Sequence, residues 1–251
     1  MTSYTNTGSS GGSTGSIGRN STYVAGNVGG FYVWAPTCRA LENKGKENQA
    51  ARTATTCYMR GLSENIRIQS SSGIPWFWRR ICFTLKGINP FSAAQTGDTP
   101  VVAQQPFYDV SNNAGLSRLW LNEFVNNVPN TRQSQLSLLF RGAQGVDWDS
   151  QLTAAVDTTR VTVKYDKCRT LHSGNSNGFI RDVKMWHPMN HNLVYDDDEN
   201  GGTENTSYWS VDSKAGMGDY YVCDYFEAGT LGGASDALMI GSTATLYWHE
   251  R

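Results

Sequence analysis

Apolar and polar residues alternate with a period of two over most of the second half of the chain, and that period predicts strands. Val161, Val163 and Tyr165 fall on one face of a segment whose other face carries Thr162, Lys164 and Asp166. Runs of this kind, punctuated by Gly and Asn, predict strands over Thr159–Thr170, Gly178–Trp186, Asn192–Tyr195, Tyr220–Phe226 and Leu238–Trp248. In the first half, Phe31–Trp34 is a short apolar strand ended by Pro36. Thr53–Gln69 is one long strand or two short ones, with Gly61 as the break or bulge, and Trp76–Leu85 is extended. Gln135–Arg141 is a further short strand candidate. A helical period occurs once: Leu116, Leu119, Trp120 and Phe124 stand at i, i+3, i+4 and i+8 and predict one short amphipathic helix. About eight strands with so little helix predict an all-β chain, an antiparallel sandwich or jelly roll with long interstrand loops over residues 86–115 and 196–218.

The N-terminal pattern is different. Eighteen of the first 22 residues are Ser, Thr, Gly or Asn, a composition that buries too little apolar area to offset the ordering of its backbone. Residues 1–27 therefore read as a polar arm and residues 28–251 as one folded domain, a length that suffices for one large β core. No basic and apolar leader opens the sequence, and no apolar run reaches the ~18 residues that a bilayer span needs, so no membrane partner is expected. Five scattered cysteines, odd in number and without a C-x-x-C pair, predict reduced thiols and a reducing compartment.

Charge adds a division that hydropathy does not show. The net charge is −1, yet residues 1–90 hold ten Lys and Arg against three acids, while the rest hold eleven against nineteen. Arg19, Arg39, Lys44, Lys46, Arg52, Arg60, Arg67, Arg79, Arg80 and Lys86 are interleaved with Tyr, Trp and Phe. A surface that grips phosphates and stacks bases has this composition, and these ten are the candidate nucleic-acid contacts. Scattered surface charges and interface pairs would have it too. Arg79 and Arg80 are neighbours on a strand whose side chains alternate between faces, so one lies on the more buried side or a bulge redirects it, and a buried arginine needs a carboxylate or an interface.

Candidate chemistry is sparse. Cys168 and His172, then His187 and His191, loosely resemble a Cys/His zinc pattern, but Pro188 blocks the helix that would bring His187 and His191 onto one face. Asp196, Asp198 and Asn200, with Gly201, match the first half of a calcium loop. Its second half fails because Ser207 stands where the bidentate Glu belongs, which favours a solvated acidic turn over calcium at a subunit contact. There is no nucleophile elbow, phosphate-binding glycine loop or metalloprotease helix. No catalysis, cofactor or small-molecule substrate is expected.

Three stretches carry a resemblance: Thr53–Thr84 (TATTCYMRGLSENIRIQSSSGIPWFWRRICFT), Phe179–Gly202 (FIRDVKMWHPMNHNLVYDDDENGG) and Ser242–Arg251 (STATLYWHER). Together with Gly216-Met217-Gly218-Asp219, and in their order and spacing, they resemble capsid proteins of genomoviruses of the gemycircularvirus kind, from near Tyr4 to the C-terminus. The resemblance implies a single jelly roll, a T=1 icosahedral shell of sixty copies of itself, a circular single-stranded DNA genome as partner, and a place in the virion and, during assembly, the host nucleus. Members of that family carry an Arg/Lys-rich arm ahead of a segment resembling Met1–Asn6, and this sequence shows none before Met1. Without such an arm the basic first third would give a weaker inner surface. Two rivals differ in class: a carbohydrate-binding jelly roll using exposed Trp and Tyr beside Asn and Asp, and a metal-dependent β-barrel enzyme using His172, His187 and His191.

Overall fold

A computed structural model describes residues 2–3, 21–39, 41, 51–98, 109–112, 115–125 and 128–250. In chain order the elements are β1 (Thr2–Ser3), β2 (Thr22–Ala25), β3 (Gly30–Trp34), β4 (Thr56–Ser70), β5 (Trp76–Leu85), β6 (Asp109–Asn112), β7 (Gly115–Trp120) and α1 (Pro129–Leu139). They continue with β8 (Thr162–Leu171), β9 (Ile180–Val194), β10 (Asp198–Asn200), β11 (Thr203–Asn205), β12 (Asp219–Ala228) and β13 (Ala237–Glu250). Two four-stranded sheets dominate, ordered β2-β13-β4-β9 and β3-β12-β5-β8. Numbered among themselves, the eight strands pair first with eighth, second with seventh, third with sixth and fourth with fifth, all antiparallel. That nested pairing is the wrap of a jelly roll, so the all-β sandwich expected from the sequence is the fold.

The sheets differ in how they are covered. The β3-β12-β5-β8 sheet is apolar on both faces: β3 is buried at all five positions, and β5 at every position but its second and last. One face meets the other sheet through Tyr32, Trp34, Trp76, Trp78, Leu62 and Ile66. The opposite face packs Phe31, Phe83 and Tyr221 against Phe91, Leu136 and Phe140, so α1 and its flanking loops form a third layer. The β2-β13-β4-β9 sheet alternates buried and exposed along β4, and among the described residues its face away from the core has no such cover.

Four expectations are corrected. The helix does not lie over Leu116–Phe124; residues 115–120 are β7, in a small sheet ordered β1-β7-β6. Apolar spacing in a short run fits either period, and the hydrogen-bond partners in β6 and β1 decide it. The helix is Pro129–Leu139, across the stretch read as the strand Gln135–Arg141. Proline in its first turn is preset for a helix, no β-branched residue follows Thr131, and Leu136 and Leu139 point into the outer core. The stretches 178–186 and 192–195 are one strand, β9. It runs through Pro188 because β9 is an edge strand paired only with β4, where a missing N–H is tolerated. Residues 22–25, inside the segment read as the arm, form β2 against β13.

Strand parity places the two arginines as expected, one on each face. Arg79 enters the outer layer, bound in a fork to Asp166 (2.9 and 2.7 Å) and donating to the carbonyls of Gln151 and Ala154. Arg80 lies between the sheets, forked onto Asp224 at 2.7 Å and bonded to Glu64, which also meets His187 Nε2 at 3.0 Å. Burial opposes the ionisation of Glu64, but Arg80 and the His187 hydrogen bond outweigh it and hold its carboxyl below the ordinary range.

Glu123 sits elsewhere, beside Gln135 of α1, and burial pushes its carboxyl up to about 8 despite Gln135 and Arg132. A raised folded-state value means stability that is fully present below the unfolded value near 4.5 and is lost as pH climbs through about 8. Wild type should therefore lose stability relative to Glu123→Gln as pH rises from about 5 to about 9, read as melting temperature against pH; a constant difference contradicts this. In denaturant unfolding, Arg80→Met, which strands two carboxylates, should cost about 3–5 kcal/mol. Arg67→Ala, at an exposed and solvent-screened pair, should move the unfolding midpoint far less than Arg80→Met does.

Candidate nucleic-acid interface

Most of the candidate basic residues are engaged within the protein. Arg52 is buried, forked onto Asp197 at 2.5 Å and donating to the carbonyls of Arg39, Ala54 and Ser207, with its guanidinium 3.7 Å from the Tyr195 ring centroid. Arg79 and Arg80 are buried in the networks described above. Arg39 is half-buried and lies over the Trp248 ring at 5.3 Å. Lys86 donates to the carbonyls of Ser213 and Ala215 at 2.5 and 3.2 Å. Arg52, Arg79 and Arg80 thus present no charge to a phosphate, a correction whose cause is distance in sequence: Asp166, Asp197 and Asp224 lie 87–145 residues away. Arg19, Lys44 and Lys46 lie outside the described residues.

Arg60 and Arg67 remain, and both stand on the uncovered face of β2-β13-β4-β9. Arg67 is paired there with Asp182 at 2.7 and 2.9 Å, both side chains about 60% exposed. Arg60 Nη1 donates to Asn190 Oδ1 at 2.5 Å. Asn190 has φ 52°, a left-handed conformation that asparagine tolerates, two residues beyond Pro188. Lys184 and Trp186, which composition did not single out, share this face because they stand opposite Asn65 and Ser63 of β4. Strand parity was the signal that could have found them.

Around Arg60 the face is aromatic. Trp186 and Tyr247 are each about half exposed, with ring centroids 5.8 Å apart. Tyr58 and His249 stack at 6.4 Å with an interplanar angle of 27°. Arg60, Ser63, Trp186, Tyr247 and His249 line a groove of about 530 Å³. Gly61 makes this possible. A Cβ there would lie 2.6 Å from the Trp186 ring and 2.7 Å from the His187 carbonyl oxygen, so only glycine lets the indole lie down on β4. The ladder is irregular at this point on both flanks, between Met59 and Gly61 and between Tyr247 and Trp248, which turns the outward row. The outward-facing residues of the four strands include three cations, Arg60, Arg67 and Lys184, against the single carboxylate of Asp182.

The histidines and acids do not assemble a metal centre. Cys168 is exposed on β8, His187 is inside the sandwich, and His191 Nδ1 donates to the Met189 carbonyl at 2.6 Å. Asp198 and Asn200 belong to β10, which pairs with β11 around Gly201 at φ 64°, a hairpin rather than a loop wrapped round a cation. Among the described residues no group of three or more His, Cys, Asp or Glu could hold a metal. Cys82, His187 and Glu64 do fall in the order nucleophile, base and orienter, at 3.9 and 3.0 Å. Yet all three are buried, and burial raises the Cys82 thiol and so disfavours the thiolate that a nucleophile needs.

Compared with known proteins, the chain matches no protein-family model and no curated protein. Gly61→Ala should displace Trp186 and cost about 1–3 kcal/mol in denaturant unfolding, as overpacking does; an unchanged midpoint would mean that the indole has room to move.

Proposed function

We propose that this chain is a viral capsid subunit, a jelly roll that assembles with copies of itself into a small closed shell around a circular single-stranded DNA genome. Fold alone does not carry the reading, since jelly rolls also serve lectins and cupins. What carries it is where the genomovirus-like stretches fall. Residues 53–84, 179–202 and 242–251 supply β4 and β5, β9 and β13, three of which are adjacent in one sheet. A resemblance confined to short disconnected loops would have no such spatial unity.

The physical design suits a wall. Both interior layers are closed by packed rings, and Arg80, Asp224, Glu64 and His187 bond to one another between the sheets, which leaves rims and loops for contact. Ile88, Val146 and Leu231 project from three loops, each more than four-fifths exposed. Such side chains suit the covered centres of small interfaces. Each contact in a symmetric shell can be weak, because closure multiplies it. The reading includes no catalysis and no cofactor. The virion, and the host nucleus during assembly, are the expected locations.

A carbohydrate-binding role is the second reading, favoured by the half-exposed Trp186 and Tyr247 beside Asn190. It predicts a soluble monomer. Sedimentation velocity and electron microscopy of the purified chain, with and without single-stranded DNA, separate the two. Closed particles of uniform size are expected. A monomer or dimer under every assembly condition contradicts the capsid reading.

A further inference from the structure

We infer that the uncovered face of β2-β13-β4-β9 is a stacking platform for single-stranded nucleic acid, with bases on the Trp186–Tyr247 and Tyr58–His249 pairs and phosphates on Arg60 and Lys184. The inference rests on the capsid reading for its purpose, since it makes this face the one turned toward the enclosed strand. The site itself is defined by its own geometry.

Three observations converge on one class of ligand. The first is aromatic: two half-exposed rings in one pair, and in the second a stacked Tyr and His, form a band across the sheet instead of packing into the core. The pairs are about three strand residues apart along β4, roughly 10 Å, far enough to take separate bases of one strand. A base has a π-face whatever its identity, so such a platform is tolerant of sequence. The second is charge: three cations face one carboxylate on this face, although the whole chain is net negative. Arg67 is already paired with Asp182, which leaves Arg60, held among the described residues by the neutral Asn190 amide, and Lys184 as the phosphate contacts. The third is shape. The groove is shallow and open, without the deep concavity that grips a compact solute, and its polar members are cationic or neutral.

A neutral glycan would use the rings but leave the cations without a role. A duplex would use the cations but could not offer its stacked bases to the rings. A single strand uses both.

Anisotropy titration of the full-length protein tests this, with a labelled oligo-dT of roughly 20 nucleotides, a duplex of equal length, heparin as a polyanion without bases, and a neutral glucan. Trp186→Ala and Tyr247→Leu should each weaken single-strand binding at least about fivefold, the equivalent of ~1 kcal/mol of stacking per base. Duplex and heparin binding should change far less, and Trp186→Phe should recover most of the loss. Arg60→Ala and Lys184→Ala should each flatten the slope of log affinity against log salt by about 0.7; Arg67→Ala should flatten it less.

Thermal unfolding checks that each variant folds, and Tyr247→Leu and Arg60→Ala carry the test if Trp186→Ala does not. Equal losses for all three polyanions, no loss at either ring, or glucan binding tighter than single-strand binding would overturn the platform. Loss of particle formation by Trp186→Ala with unchanged strand binding would make the face a contact between copies, which overturns the platform and leaves the capsid reading standing. Ring-dependent strand binding by a wild-type chain that never forms particles would uphold the platform and remove the capsid reading.

Discussion

Arg80 ties the two sheets together, and the sandwich is organised around the carboxylates that make its burial possible. It stands on β5 beside Asp224 of β12, in one sheet, and reaches Glu64 of β4 in the other, where His187 of β9 completes the set. The Trp78 indole N–H also donates to Asp224, at 2.6 Å. A guanidinium between two apolar sheets is tolerable only while every partner is in place. The cluster therefore specifies register: slipping either sheet by one residue would turn a charged group to the wrong face. Four strands converge on it, so it couples the nested pairing to the spacing of the layers.

The asymmetry of the fold follows from what each sheet has behind it. Aromatic and aliphatic side chains on both faces of β3, β5 and β12 require a second cover, which α1 and its neighbouring loops supply. The alternating pattern of β4 and β9 requires only one. The uncovered face is where evolution can place recognition without disturbing the core, and that is where Arg60, Lys184, Trp186 and Tyr247 collect. Gly61 couples the two, since its missing side chain lets an indole rest on the same strand that carries Glu64 inward.

Much of this was legible in the sequence. Strand parity puts Arg79 and Arg80 on opposite faces and requires a carboxylate or an interface for whichever is buried; both are buried and both have a carboxylate. Period-two runs located the long strands, because side-chain alternation is local information. The helix was misplaced because Leu116, Leu119 and Trp120 fit either period over so short a run, and pairing with β6 chose the strand. The basic residues were harder. Interleaving with aromatics describes composition, whereas the availability of a charge depends on partners such as Asp197 and Asp224, which only the fold brings near Arg52 and Arg80. Lys184 and Trp186 escape a reading by composition for the converse reason: they lie in the part of the chain where acids predominate, yet they share a face with Arg60.

The central claim is that this chain forms the wall of a shell whose uncovered sheet meets the enclosed strand. Electron cryomicroscopy of particles assembled with single-stranded DNA tests it most directly. The account predicts a closed icosahedral shell with β2-β13-β4-β9 lining its interior and strand density against Trp186 and Tyr247. A shell in which that face is buried between subunits or turned to the outside would contradict it.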